Sequence, residues 1–335
     1  MAARRPRRGC GLNGAILMTH VLSILCPVRN EATVVPLFYA RLEPVIARLE
    51  DRYLVRLIFL NNASTDETVA AVQRIRRARS ETYLLTTSRD VGYQRSLELG
   101  LRSIESDIYV IIDVDCEDPP EMIETFIEHY ELGCQLVYGE RVDRDEPRLL
   151  KRTREFFYRL LQATADDEII LNMAEFALFT RDVRDAILAE NSSFPFIRAS
   201  IARIGFRRAA VPFKRQRRVA GESHYDLIGM TIFAVAGILA SSTLLLRLPI
   251  YILPFWFAAL TALSIGYGAT HSAWCAVLAF LTAVGYLGGS VAVTALYVAR
   301  TYKNGLMRPN AFINQRQSVL PAAIRRDADR ASMAA

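Results

Sequence analysis

Acidic residues are missing from a long stretch of this chain. Positions 227–300 contain no Asp or Glu, and Arg247 is the only Lys or Arg before Arg300. Such a composition excludes ordinary solvated surface and points to a bilayer. Histidine is scarce, with 4 in 335 residues, and none stands at metal-ligand spacing. The five cysteines, Cys10, Cys26, Cys116, Cys134 and Cys275, form no CxxC or zinc pattern. They read as free thiols in a reducing compartment, which excludes a disulfide framework. Basic runs lack interleaved aromatics, so the net charge of +6 does not indicate a nucleic-acid partner.

That charge gathers at the N-terminus, at FKRQRR (213–218) and in the tail that begins at Arg300. The last two flank the apolar block, as expected of a cytoplasmic face held against anionic membrane lipids. Within the block, 249–267 and 273–297 are each long enough to cross about 30 Å of hydrocarbon. The GATHS link between them carries no Lys or Arg, whereas Arg300, Lys303 and Arg308 follow the second. Positive-inside bias puts the link outside and both the soluble domain and the tail in the cytoplasm. That parity requires two spans, so 227–246 is expected to lie along the surface as an interfacial helix. A third span there would separate the domain from the tail.

The expected organisation has five parts. A basic N-terminal arm occupies 1–20, either without a core of its own or upstream of a start at Met18. A catalytic domain (21–221) precedes a juxtamembrane helix (222–247), two membrane helices (248–299) and a cytoplasmic tail (300–335). In the domain, VLSILCP (21–27) reads as a buried strand stopped by Pro27. LVRLIFL (54–60), TYLLTTS (82–88) and IYVIID (108–113) read as further strands, with helical periodicity between them. A helix capped by Ser64 or Thr65 follows the second strand. Beyond Pro120, strands are expected at CQLVYGE (134–140) and AEFALFT (174–180), with an amphipathic helix at 149–162. This alternation predicts an α/β domain with a mostly parallel sheet and helices on both faces.

VIIDVDCEDPP (110–120) brings four carboxylates to the end of the fourth strand. Asp113 and Asp115, two apart in an extended chain, would share one side. They stand where open α/β sheets bind ligands. Such a pair suits a hard cation such as Mg²⁺, completed by substrate phosphates. An acidic turn before the next helix, with Glu117 and Asp118 as cap residues, explains the spacing equally well.

The company of this stretch resembles the inverting family 2 glycosyltransferases of GT-A fold. It is most similar to the polyprenyl-phosphate group, which includes dolichyl-phosphate mannose synthases and bacterial undecaprenyl-phosphate sugar transferases. LSILCPVRNE (22–31), FLNNASTDET (59–68), SRDVGYQRSLELG (88–100), IIDVDCEDPPEMI (111–123), LVYGERVDR (136–144), LKRTREFFYRL (150–160), GFRRAAVPF (205–213) and RVAGESHY (218–225) carry the resemblance, in the family's order. It implies a GT-A domain followed by an interfacial helix and a C-terminal transmembrane hairpin. The implied reaction is metal-dependent transfer of one sugar, with inversion, from a UDP- or GDP-linked donor to undecaprenyl or dolichyl phosphate. Mg²⁺ or Mn²⁺ is the implied cofactor, the inner membrane the implied location, and self-association is compatible with it.

The resemblance also implies residue roles. Pro27, Asn30 and Glu31 line the nucleotide pocket. Asn61 and Asn62 take the place of an acidic pair that meets the base, and Arg89 and Asp90 shape the nucleoside pocket beside Gly92. Asp113 packs near ribose and metal, and Asp115 ligates the metal. Lys151 and Arg152 face the diphosphate or the lipid phosphate, while Arg218 and Ser223 belong to a loop near the acceptor. Glu175 positions the nucleophile or the sugar. The chain departs from the family's Asp-Asp-Gly-Ser at 61–64, from Asp-Phe-Arg-Leu at 175–178 (Glu175, Ala177), and from a lysine at His224. These departures keep a non-catalytic membrane subunit as an alternative. A processive polysaccharide synthase is a further alternative, but the chain lacks the Gln-x-x-Arg-Trp motif of that group.

Overall fold

Side chains after Asp107 sort by parity. Ile108, Val110 and Ile112 join one buried cluster, whereas Tyr109 and Ile111 join another. This is the two-residue period of a strand covered on both faces. The computed structural model describes residues 20–142, 170, 172–190, 192, 195–216, 243–306 and 308–321.

The strands are Val21–Val28 (β1), Leu54–Asn61 (β2), Thr82–Thr86 (β3), Ile108–Ile111 (β4), Leu136–Arg141 (β5), Met173–Thr180 (β6) and Arg208–Phe213 (β7). They form one sheet in the order β3-β2-β1-β4-β6-β5-β7. β6 runs antiparallel to both neighbours, and the other pairs are parallel. Helices α1 (Val34–Leu49), α2 (Thr68–Ala78) and α4 (Met122–Glu131) cover one face. The other face is covered by α3 (Tyr93–Ser103), α5 (Arg181–Ala189) and α6 (Ile197–Arg203). α3 lies close to the sheet at Gly100, where a Cβ would come within 2.6 Å of Leu60 Cδ1.

Several local expectations are corrected. β1 runs through Pro27 to Val28. The β1–β4 ladder ends at Leu25 and Ile111, so a missing N–H on that side at Pro27 breaks no pairing. β4 stops at Ile111, two residues short of Asp113. α2 starts at Thr68, not after Ser64 or Thr65, and Asp66 Oδ1 accepts from the Thr68 N–H at 3.0 Å. β7 was not expected as a strand; it pairs along the whole of β5. Glu117 and Asp118 do not cap α4, whose N-cap is Glu121.

Two further helices, α7 (Leu244–Thr270) and α8 (Ala273–Gly305), have mean hydropathies of 1.8 and 1.9 and bury none of that apolar stretch. Their 27 and 33 residues correspond to about 40 and 50 Å, enough to cross a membrane. They pack on each other through Trp256, which stacks on Tyr286 at 4.5 Å and donates to Thr282 O at 3.1 Å. Trp256 thus joins the two helices. The expected 149–162 helix and the segment 222–242 lie outside the described residues.

After α8 the chain returns to the sheet, which the composition of the tail did not indicate. Val319 and Leu84 exchange backbone hydrogen bonds of 2.7 and 3.0 Å, and Asn314 N–H donates to Thr86 O at 2.7 Å. Ile313 and Leu320 pack against the core layer that holds α3. The segment covers the outer edge of β3, an edge that would otherwise present open N–H and C=O groups.

Candidate active site

The antiparallel strand creates the site. Its register pairs Ile111 with Ala177 and Val110 with Leu178. Continued past β4, that register sets Glu175 level with Asp113. Asp113 and Asp115 stand beyond the carboxyl end of β4, within the ligand crevice of open sheets. The backbone there is a turn, not the extended chain expected, with Cys116 at φ 58° and the Glu117 N–H donating to Asp115 Oδ1 at 3.0 Å. Burial still alternates: Asp113, Asp115 and Glu117 are partly exposed, whereas Val114, Cys116 and Asp118 are buried.

Asp113 accepts a 2.7 Å hydrogen bond from the Tyr93 hydroxyl. Burial pushes its pKa up to about 7; the Tyr93 bond opposes this, and Asp115, Asp118 and Glu175 add to it. Asp118 is 2% exposed and pairs with Arg141 at 3.3 Å. Burial raises its pKa as well, against the lowering effect of Arg141.

Glu175 is 9% exposed, so it is not a surface carboxylate. Its Oε1 accepts from Arg198 Nε at 2.7 Å and from Gln94 Nε2 at 3.0 Å. Its Oε2 is buried and meets no hydrogen-bond donor among the described residues. Arg198 is held further by Met173 O at 3.3 Å. Burial alone would lower the pKa of Arg198, but Glu175, Tyr93 and Asp113 more than offset it, so the guanidinium stays charged. Sequence reasoning missed Tyr93, Gln94 and Arg198. The absence of an arginine at Ala177 was the one available signal, and α6 supplies a guanidinium from elsewhere.

The loops after β1 and β2 are stitched together. Asn30 Oδ1 accepts from Thr65 N–H at 2.8 Å, and Glu31 N–H donates to Thr68 Oγ1 at 2.8 Å. Asn30 itself turns at φ 53°. Asn61 and Asn62, expected to face the base, are 1% and 6% exposed. Asn61 Oδ1 accepts from Ser64 N–H at 3.1 Å, and its Nδ2 donates to Thr86 Oγ1 at 3.3 Å. Asn62 donates to Asp90 Oδ1 at 2.6 Å and accepts from Val91 N–H at 2.9 Å. Both amides therefore face inward and tie together the loops after β2 and β3. Asp90 also pairs with Arg29 at 2.6 Å, Arg89 is exposed, and Gly92 takes φ 83° at the start of α3. Pro27 is partly exposed at the strand end.

Lys151, Arg152, Arg218 and Ser223 lie outside the described residues. The part of the basic run that is described folds over the acidic loop. Arg215 pairs with Glu117, and the Gln216 N–H donates to Glu117 O at 2.9 Å.

Comparison with known proteins decides the family. The family model described as glycosyl transferase family 2 matches residues 23–188. The uncharacterized glycosyltransferase YkcC of Bacillus subtilis is 32% identical over 230 residues, 68% of this chain and 71% of its own length. The chain belongs to glycosyl transferase family 2. A prophage bactoprenol glucosyl transferase homolog of Escherichia coli is 28% identical over 313 residues, covering 88% of this chain and 98% of that one. This family member is therefore related to the bactoprenol glucosyl transferases along nearly its whole length, and its α/β domain with a C-terminal pair of long apolar helices is of GT-A type. Glucosyl-3-phosphoglycerate synthase of Mycobacterium tuberculosis matches at TM-score 0.47 and 19% identity, over 71% of this chain and 86% of that one; at that level it adds nothing about the site.

Arg198→Met should leave the Glu175 carboxylate buried beside Asp113 without its cationic partner. Sugar transfer should fall by about 10²-fold, as for loss of a positioning contact. Comparing kcat of the variant and of Arg198→Lys with wild type checks this; wild-type kcat in Arg198→Met would return the pair to a packing role.

Proposed function

We propose that this chain transfers a single sugar from a nucleoside diphosphate sugar to a polyprenyl phosphate at the cytoplasmic face of a membrane, with inversion at the sugar C1. The observation that carries it is the Asp113–Glu175 level. A half-open cluster of carboxylates, with one Glu175 oxygen held by Arg198 and Gln94 and the other undirected, stands in a family 2 domain joined to two exposed apolar helices.

An oxygen of the lipid phosphate attacks C1 as the bond from C1 to the donor diphosphate breaks, and the nucleoside diphosphate departs with the electron pair. The acceptor needs little deprotonation, because a phosphate monoester has a second pKa of about 6. Glu175 then orients the acceptor or a sugar hydroxyl through Oε2, while Arg198 and Gln94 fix its other oxygen. Tyr93 fixes Asp113 in the same way.

Among the described residues, no cluster of three or more His, Cys, Asp or Glu forms a complete metal site. Two carboxylates nevertheless fit Mg²⁺ or Mn²⁺, which takes its remaining ligands from phosphate and water. Burial first, and then the neighbouring carboxylates, raise Asp113, and a divalent cation offsets both by favouring the ionised form. Asp113 and Asp115 would hold it, and when bound it neutralises charge on the leaving diphosphate.

The membrane part supports the same reading, since a polyprenyl tail lies in the bilayer and its phosphate at the surface. The tail segment 311–320 lies on the sheet of the catalytic domain. A tail that pairs with the domain must share its side of the membrane, so the number of crossings between them is even. The hairpin of α7 and α8 supplies two.

Two experiments test this. Membranes holding the full chain would receive radiolabelled UDP- and GDP-sugars, undecaprenyl phosphate and Mg²⁺ or Mn²⁺. One donor should yield a sugar-lipid, and Asp115→Asn should cut its formation by about 10²–10³-fold; no product from any donor would refute the transferase reading. For sidedness, a cysteine placed at Ala335 in a cysteine-free chain should react with an impermeant maleimide in inside-out vesicles only. Labelling in right-side-out vesicles would exclude the two-span hairpin.

A further inference from the structure

The segment just past the membrane helices touches the parts of the domain that the nucleotide reading uses. α8 ends at Gly305. At Asn310 the side chain donates to Glu98 Oε2 at 2.7 Å and to Ser192 O at 2.9 Å. Glu98 lies on α3, the helix whose first turn supplies Tyr93 and Gln94.

Beyond Asn310 the chain pins the loop that carries Arg89 and Asp90. The Ser88 N–H donates to Phe312 O at 2.9 Å, and Thr87 bridges Ile313. Thr86 is tied at three atoms: its N–H donates to Ser318 Oγ at 2.9 Å, its O accepts from Asn314, and its hydroxyl donates to Gln317 O at 3.3 Å. That hydroxyl also accepts from Asn61 Nδ2. A continuous hydrogen-bonded path thus runs from Gln317 through Thr86 to Asn61, and Asn61 Oδ1 closes the turn at Ser64. Asn62 holds the far end of the same loop through Asp90 and Val91. The loop 88–92 is therefore held at one end by β2 and at the other by the segment 310–320. Ser318 is fixed in turn by its own hydroxyl, which donates to Asn314 O at 2.7 Å.

We propose that 310–320 is a strap that positions the nucleoside-binding loop, so that donor affinity depends on a segment delivered by the membrane hairpin. The inference rests on the donor reading above and deepens it: the strap acts on the nucleoside diphosphate half of the site. Simple cover for the β3 edge would need the backbone pairs alone. The side-chain ties from Ser318 to Thr86 and from Asn310 to α3 give the strap its positioning role.

The test uses the full chain in detergent, with UDP and GDP alone as probes and calorimetric binding as the readout. Wild type should bind one of them. Ser318→Ala leaves the Thr86 N–H without its acceptor, and it should bind that nucleotide about tenfold more weakly; the KM for the donor should rise with kcat little changed. Ser318→Thr, which keeps the hydroxyl, should restore affinity. Ser318→Ala with wild-type affinity and a lowered melting temperature would overturn the strap and leave edge cover. Wild type that binds neither nucleotide would overturn the donor reading itself, and the strap with it. If Ser318→Ala does not fold, hydrogen exchange on wild type decides. Adding the nucleotide that binds should slow exchange at Ser88, Asn314 and Val319 together. Slowing confined to 88–92, with Asn314 and Val319 unchanged, would overturn the proposal.

Discussion

Five carboxylates crowd the end of β4, and the rest of the site is arranged around that crowding. Asp113, Asp115, Glu117 and Asp118 come from one loop, and Glu175 comes from β6. Like charges in a half-buried place repel each other and favour the neutral forms. Asp118 has Arg141, Glu175 has Arg198, and Glu117 has Arg215. Asp113 accepts from the Tyr93 hydroxyl, and burial pushes it up to about 7. Added positive charge beside Asp113 and Asp115 would favour their ionised forms.

This arrangement depends on one antiparallel strand. A parallel β6 would have brought its other end to the crevice and carried Glu175 to the far side of the sheet. Antiparallel pairing with both β4 and β5 instead aligns the start of β6 with the strand ends that hold the loops. Glu175 then reaches Gln94 on α3 and Arg198 on α6, residues 81 and 23 positions away in sequence. Two faces of buried side chains hold these elements in register.

The parts legible in the sequence were those written in local periodicity. Buried strands at 21–28, 54–61 and 108–111, the apolar hairpin, and the carboxylates past β4 all follow from patterns a few residues long. The direction of β6 does not, because a short apolar run carries no sign of which way it pairs. Arg198 stands in a seven-residue helix with no distinguishing motif, so its approach to Glu175 is a tertiary fact. Asn61 and Asn62 were legible as residues at the end of the second strand. Their inward turn was not, because an amide can serve a base or a backbone equally well. The strap was hidden for a similar reason: Phe312, Ile313, Val319 and Leu320 among polar residues look like solvent-exposed chain until an open strand edge lies beside them.

The central claim is that Asp113 and Asp115 hold a divalent cation that joins them with the donor diphosphate. Titration of the full chain with Mn²⁺, followed by electron paramagnetic resonance in the presence of UDP or GDP, tests it most directly. Because the Asp113 pKa is raised to about 7, a cation must displace a proton below that pH and none above it. Bound Mn²⁺ should therefore appear at about pH 8, weaken by about tenfold per pH unit below about 7, and be lost in Asp115→Asn. Mn²⁺ bound with unchanged affinity in Asp115→Asn, or with no pH dependence between about pH 6 and 8, would contradict it.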